Sequence, residues 1–271
     1  GNVVRVESDW GKPVDASATI QAMKDHSDAR VVALVHAETS TGVLSDPAPI
    51  CRAATDAGML SVVDTVTGLV GCRVDVDTWG ADVVYSGTQK CLAVPPGLAP
   101  ISFSERALHR IRTRKAPAQS WFCDINLVMG YWSGDGARSY HHTAPVNAIY
   151  ALHKGLSRVL GEGLDTARAR HDAAHVTLKD GLAEMGLSLF VDEANRLPQL
   201  NIVSVPDGVD EAAVRAALLD AHNLEIGAGL GALAGKVWRI GLMGENARSE
   251  RVELVLGALR AALTQHQATA A

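Results

Sequence analysis

Ala81-Asp-Val-Val-Tyr-Ser-Gly-Thr-Gln-Lys90 is the stretch on which the fold reading turns, and Pro95-Pro-Gly97 follows it. Val83, Val84 and Tyr85 read as a short buried strand that Ser86, Gly87 and Thr88 interrupt. Lys90 therefore falls just past a strand's carboxyl end. Met59-Leu-Ser-Val-Val63 is a second apolar strand, and Asp64 ends it 26 residues before Lys90. In open α/β sheets, ligands bind outside the carboxyl ends of the strands. The spacing thus places a lysine and an aspartate on one edge of one sheet.

Outward from this pair the first half alternates strand and helix patterns. Val31 to Val35 reads as a strand. Pro49 to Gly58 reads as a short helix with Pro near its start and Gly at its end. Ala99 to Phe103 is a further strand, and Ser104 can cap a basic helix running through Lys115. This alternation implies βαβ units and a mainly parallel sheet. His142 to Leu160 carries a long helical pattern leading into a second unit. There Thr166 to Met185 and Glu211 to His222 are helical, Leu200 to Val205 and Val237 to Ile240 are strands, and Ser249 to Gln265 closes the chain as a helix. The expected organisation is a large unit over residues 1–160 and a small α+β unit over residues 161–271.

Composition narrows the function class. The 271 residues carry 47% hydrophobic and 20% charged side chains, which fits a soluble globular enzyme and argues against disorder. A net charge of −5 argues against nucleic acid as a main partner. No apolar run approaches the ~20 residues of a membrane helix, and no signal peptide pattern opens the chain. Cys51, Cys72, Cys91 and Cys123 lack CxxC spacing and read as free thiols of a reducing, cytoplasmic setting. Cys51 lies in an apolar helical pattern and reads as packing.

Pyridoxal phosphate chemistry needs a lysine to hold the aldehyde and a carboxylate to keep the pyridine nitrogen protonated. Read alone, an Asp at a strand end and a Lys in a loop are ordinary features. Five ordered segments raise the reading: His36-Ala-Glu-Thr-Ser-Thr-Gly-Val-Leu44, Val63-Asp-Thr-Val-Thr-Gly-Leu69, Tyr85-Ser-Gly-Thr-Gln-Lys90, Tyr140-His-His-Thr143 and Lys236-Val-Trp-Arg-Ile-Gly241. Together they closely resemble the alanine–glyoxylate and serine–pyruvate aminotransferases, class V of the fold type I pyridoxal phosphate enzymes, over essentially the whole chain.

The resemblance implies a role for each matched residue. Lys90 is the Schiff-base lysine and, once freed, the general base. Its amine must then be neutral near pH 7, which requires desolvation or nearby positive charge. Asp64 pairs with the pyridinium nitrogen, and Val66 resembles the side chain that packs one ring face, although a plain core valine reads equally well. Thr39 stands where the family often has Ser and keeps the hydroxyl. Gln89 resembles a phosphate or backbone contact; cysteine desulfurases, a sister group, usually have His there. Arg239 resembles the arginine that grips the substrate carboxylate with its planar fork of donors; without the resemblance it reads as an edge-strand surface arginine. Tyr140 and Thr143 resemble residues that reach a neighbouring subunit's phosphate, which implies a homodimer.

No metal is expected: His141 and His142 are sequence neighbours, which point apart on a helix or strand. His36 reads as a packed strand-end histidine. Trp10 does not match the aromatic that stacks on the cofactor ring. Family members carry that aromatic, with a glycine-rich phosphate turn, in a segment before the point where this sequence opens. The large unit is therefore expected to be incomplete at its N-terminus, and the 271-residue chain to hold the cofactor weakly. The expected function is transfer of the amino group of alanine or serine to glyoxylate or pyruvate. One alternative is a lyase or desulfurase on the same scaffold, for which Cys123 is the cysteine to check, although its apolar company suggests burial. The other is a fragment that folds and dimerises without holding the cofactor.

Overall fold

The computed structural model describes residues 1–132 and 139–270. Its helices are α1 (Ala16–Asp25), α2 (Ala48–Asp56), α3 (Val76–Trp79), α4 (Glu105–Arg112), α5 (Ile125–Trp132), α6 (Val146–Glu162), α7 (Leu164–Glu184), α8 (Glu211–His222) and α9 (Ser249–Ala270). Its strands are β1 (Val31–Val35), β2 (Ala37–Glu38), β3 (Val43–Leu44), β4 (Leu60–Asp64), β5 (Val83–Tyr85), β6 (Ile101–Phe103), β7 (Leu200–Ser204), β8 (Gly227–Ala228) and β9 (Val237–Gly241). The sequence pattern finds most of these within a few residues. It misses the amphipathic α1, the single-turn α3, α5 and the two-residue strands. Residues 1–9 form no strand, and Val3 and Val4 are exposed.

Local chemistry fixes the boundaries. Ser104 accepts a hydrogen bond from Ala107 N and starts α4, and Asp210 caps α8 through the N–H groups of Ala212 and Ala213. Asn223 in the left-handed region ends α8. Pro49 sits in the first turn of α2, where its missing N–H costs nothing.

The first sheet has the order β1-β4-β5-β6. β1, β4 and β5 are parallel, while β6 returns antiparallel to β5. Leu34, Val63 and Val84 form one face and join a core with Ile50, Cys51, Ala54, Met59 and Trp79. The other face, with Ala33, Val35, Val62, Asp64 and Tyr85, is only half-buried or exposed. The continuous apolar runs predict strands buried on both sides. They are half-buried because α2 and α3 pack against one face, and the other opens onto a cavity of about 160 Å³. The second sheet, β7-β9-β8, is antiparallel with β9 at its centre. Its core gathers Trp238, Leu178, Leu182, Leu218, Ile240 and Leu259, the helical members coming from α7, α8 and α9.

One buried polar knot ties β4, β5 and α4 together. Asp82 is 3% exposed and accepts from Ser61 N at 3.0 Å, Ser104 Oγ at 2.7 Å and Arg106 Nη2 at 2.6 Å. Burial by itself would push this carboxyl up, but the hydrogen bonds from Arg106, Ser104 and Ser61 outweigh it and hold it below the usual carboxylate range. A depressed folded-state value stabilises the protein above the unfolded carboxyl's pKa, and that contribution is lost as pH falls through the folded value. Asp82→Ala should lower unfolding free energy by about 3 kcal/mol at neutral pH, since the donors lose a buried acceptor. Urea unfolding across pH 2–7 should show the deficit shrinking as the pH falls below ~4.

Candidate active site

Three loops leave the carboxyl edge of the parallel strands. In register, Val35 of β1 lies beside Asp64 of β4, and Asp64 lies beside Tyr85 of β5. The loop after β1 carries the β2–β3 hairpin with Thr39. The loop after β4 carries Val66, and the loop after β5 carries Gln89 and Lys90. The topology thus brings Thr39, Asp64, Val66, Gln89 and Lys90 to one edge.

Asp64 is held by two donors. Val66 N donates to Oδ1 at 2.8 Å, and the Tyr85 hydroxyl donates to Oδ2 at 2.8 Å. Burial first, and then the hydrogen bond to Asp64, push the Tyr85 phenol up to about 12. Tyr85 escapes sequence reasoning because its contact depends on the β4–β5 register. The only sequence signal is an aromatic residue ending the next strand. A Cβ at Gly87 would lie 3.2 Å from Val66 Cγ1 and 2.7 Å from Gln89 Oε1, so a larger residue there would displace the Gln89 side chain and crowd Val66. Lys90 is half-buried, and its amine makes no hydrogen bond or ion pair among the described residues.

Arg239 approaches from the second sheet. It lies on the central strand β9, not on an edge as its pattern alone suggests, because both β7 and β8 pair with that strand. Trp238 and Ile240 enter the core while Arg239 points to the other face. Its Nε donates to Ala228 O at 2.7 Å and its Nη1 to Thr39 O at 3.2 Å, so Thr39 and Arg239 meet across the two sheets. Nη2 makes no hydrogen bond among the described residues, and a Cβ at Gly227 would sit only 3.3 Å from it. Gln199 adds a second link, donating to Thr67 O at 2.8 Å.

Tyr140 and Thr143 are exposed and hydrogen-bonded to each other at 2.5 Å. Within this chain no hydrogen bond joins them to Asp64 or Lys90 among the described residues. The two histidines between them differ from expectation. Their Nδ1 atoms lie 2.8 Å apart, because residues 139–145 form neither helix nor strand and the alternation of side chains does not apply. Cys123 is exposed rather than buried, since its neighbours Trp121 and Phe122 are themselves exposed just before α5. Cys51, Cys72 and Cys91 are buried and free. Trp10 packs on Gly231, away from the strand edge. Among the described residues no group of three or more His, Cys, Asp and Glu could hold a metal ion.

The donor set fits pyridoxal phosphate. It offers an unpaired amine, a carboxylate locked at the strand end, an apolar Val66 beside it and an arginine with free N–H groups facing the same loops. These features are ones that a fold type I pyridoxal phosphate enzyme uses. The profile described as aminotransferase class-V matches residues 2–255, and the chain belongs to that family. An (S)-ureidoglycine–glyoxylate transaminase of Bacillus subtilis is 38% identical over 98% of this chain and 68% of its own length. An alanine–glyoxylate aminotransferase of Drosophila melanogaster is 38% identical over 95% of this chain and 66% of its own. The crystal structure of an alanine–glyoxylate aminotransferase from Nostoc sp. superposes with a TM-score of 0.91 at 42% identity, over 95% of this chain and 68% of that one. The chain thus spans about two thirds of these relatives, at 68%, 66% and 68% of their lengths.

His36, between β1 and β2, is 3% exposed, tilts against Trp79 at 4.9 Å, and leaves Nδ1 without a partner. It is a packed histidine, as its pattern suggests. Burial pushes its pKa from 6.5 down to about 4, against a weaker pull from Asp46 and Asp64. The fold therefore favours the neutral ring, and stability present above pH 6.5 should fall as pH drops toward 4. Chemical denaturation should show a loss of about 3 kcal/mol across that window. His36→Phe should remove most of it; an unchanged pH profile in that variant would refute the assignment.

Proposed function

We propose that the protein is a pyridoxal-phosphate-dependent aminotransferase that moves the amino group of alanine or serine to a small 2-oxo acid, glyoxylate or pyruvate. The observation that carries this reading is the placement of Asp64 and Lys90 after adjacent strands at one edge, with Arg239 of the second sheet bonded to Thr39 O in the loop beside them. Glyoxylate as acceptor is supported by the names of the Bacillus and Drosophila relatives. A cysteine-dependent reaction has no such support. When bound, the cofactor supplies an electron sink for the charge that develops at the substrate α-carbon.

The residues divide the remaining work. Lys90 holds the cofactor aldehyde and, when released, carries the proton to and from the α-carbon as general base. Asp64, fixed between its two donors, would accept a hydrogen bond from the protonated ring nitrogen. Val66 covers a ring face, and Thr39 and Gln89 offer polar contacts from the flanking loops. Arg239 turns its unbonded Nη2 edge to the substrate carboxylate, and its anchor to Thr39 O fixes the fork's direction. The division into units over residues 1–160 and 161–271 is supported by two separate apolar cores. Buried free thiols favour a cytoplasmic setting.

We also propose a homodimer in which Tyr140 and Thr143 serve the neighbouring subunit's site. Trp121, Phe122, Trp132, Tyr150 and Leu160 are all exposed, which supports burial of this region in an interface. Sedimentation equilibrium of the full-length protein should give twice the chain mass; a single-chain mass with full activity would overturn this.

The site assignment is tested on the full-length, cofactor-loaded protein. Borohydride reduction and peptide mapping should place the label on Lys90. Arg239→Ala should keep the cofactor bound while weakening the amino acid substrate by about 3 kcal/mol, roughly a hundredfold. A label on Lys115 or Lys236 would sink the role of Lys90. Loss of cofactor with unchanged substrate kinetics in Arg239→Ala would sink that of Arg239.

A further inference from the structure

We infer that Tyr85 is a positioning residue for Asp64, holding that carboxylate turned toward the ring nitrogen it serves. This rests on the proposed role of Asp64 as the partner of that nitrogen. Tyr85 and Asp64 are in-register neighbours on parallel strands, so their side chains leave the same face of the sheet. Both reach the 160 Å³ cavity, which is otherwise lined by Ala33, Leu34, Val35 and Val62. Two donors fix the carboxylate in that setting. Val66 N binds Oδ1 from the next turn of the chain, and the Tyr85 hydroxyl binds Oδ2 at 2.8 Å.

The division between the two donors matters. The Val66 N–H is local and comes with the loop that any residue at 66 would form. The phenol comes from a different strand and fixes the carboxylate's rotation relative to the loop that carries Lys90, five residues after Tyr85. A phenol that stays protonated throughout the working pH range donates to Asp64 at every point of the cycle. Each donor fixes one carboxylate oxygen, so the group meets a ring nitrogen in a single orientation. A carboxylate has acceptor sites left after two hydrogen bonds, which leaves room for that third partner. A purely structural role, in which the phenol only satisfies its own hydrogen-bonding need, would leave Asp64 insensitive to Tyr85.

The test is a double-mutant cycle in the full-length protein, with pyridoxal phosphate affinity read from its absorbance on titration. Tyr85→Phe keeps the ring packing and removes one hydroxyl. It should weaken the cofactor about tenfold in the parent background and have no further effect in an Asp64→Ala background. In cofactor-free protein, carbon-13 NMR of labelled aspartate should show the Asp64 carboxyl resonance displaced in Tyr85→Phe. An equal loss of affinity in both backgrounds, or no loss in either, would overturn the coupling. An unmoved Asp64 resonance would do the same. If Asp64→Ala alone left affinity unchanged, the site reading would fail and this inference with it. A displaced Asp64 resonance in that case would show that the phenol–carboxylate contact is real but serves no cofactor.

Discussion

Everything at the site hangs on the parallel pairing of β1, β4 and β5. Parallel strands share one carboxyl edge, so the loops that follow them must emerge side by side. The register that sets Val35 beside Asp64 and Asp64 beside Tyr85 decides which side chains of those loops meet. A slip of one residue would turn Asp64 to the packed face, among Ile50, Met59 and Trp79. The core therefore enforces the chemistry: Leu34, Val63 and Val84 must face the helices, and Asp64 and Tyr85 are left on the other side.

The second constraint is the joint between the two sheets. Arg239 reaches Thr39 O, Gln199 reaches Thr67 O, and Leu197 N donates to Gly42 O at 3.0 Å. All three acceptors lie in the loops that follow β1 and β4. The residue assigned to the substrate carboxylate is thus anchored to the backbone of a loop assigned to the cofactor. Small residues permit the approach: a Cβ at Gly42 would lie 2.7 Å from Ile202 Cγ1, and one at Gly71 would lie 2.7 Å from Cys91 Sγ. Two non-glycine residues in the loops after β4 and β5 adopt the left-handed region, Val70 at φ 74° and Ala93 at φ 56°. For a β-branched valine this is a strained conformation, and such strain collects where surrounding structure fixes the backbone for function.

Buried polar groups at the two ends of the first sheet show two different solutions to desolvation. Asp82 keeps its charge because three side chains and a backbone N–H are arranged around it. His36 has no such set, so it gives up its charge and packs as a neutral ring against Trp79. A Cβ at Gly68 would come within 2.5 Å of His36 Nδ1, so a larger residue there would collide with the ring.

The sequence by itself determined the alternating strands and helices, the mainly parallel sheet and the strand-end positions of Asp64 and Lys90. These are local matters: apolar runs, caps at Ser104 and Asp210, and breakers such as Gly58 and Pro49 act within a few residues. Five ordered motifs also carried the family. Only the tertiary structure decided which face of each strand was open, that β9 is a central strand and not an edge, that Tyr85 holds Asp64, that Arg239 is anchored to Thr39 O, and that Cys123 is exposed while His141 touches His142. Each of these depends on register, on packing between segments far apart in the chain, or on a loop conformation that no periodicity encodes. Periodicity reports which residues share a face, but only the assembled neighbours fix what that face meets.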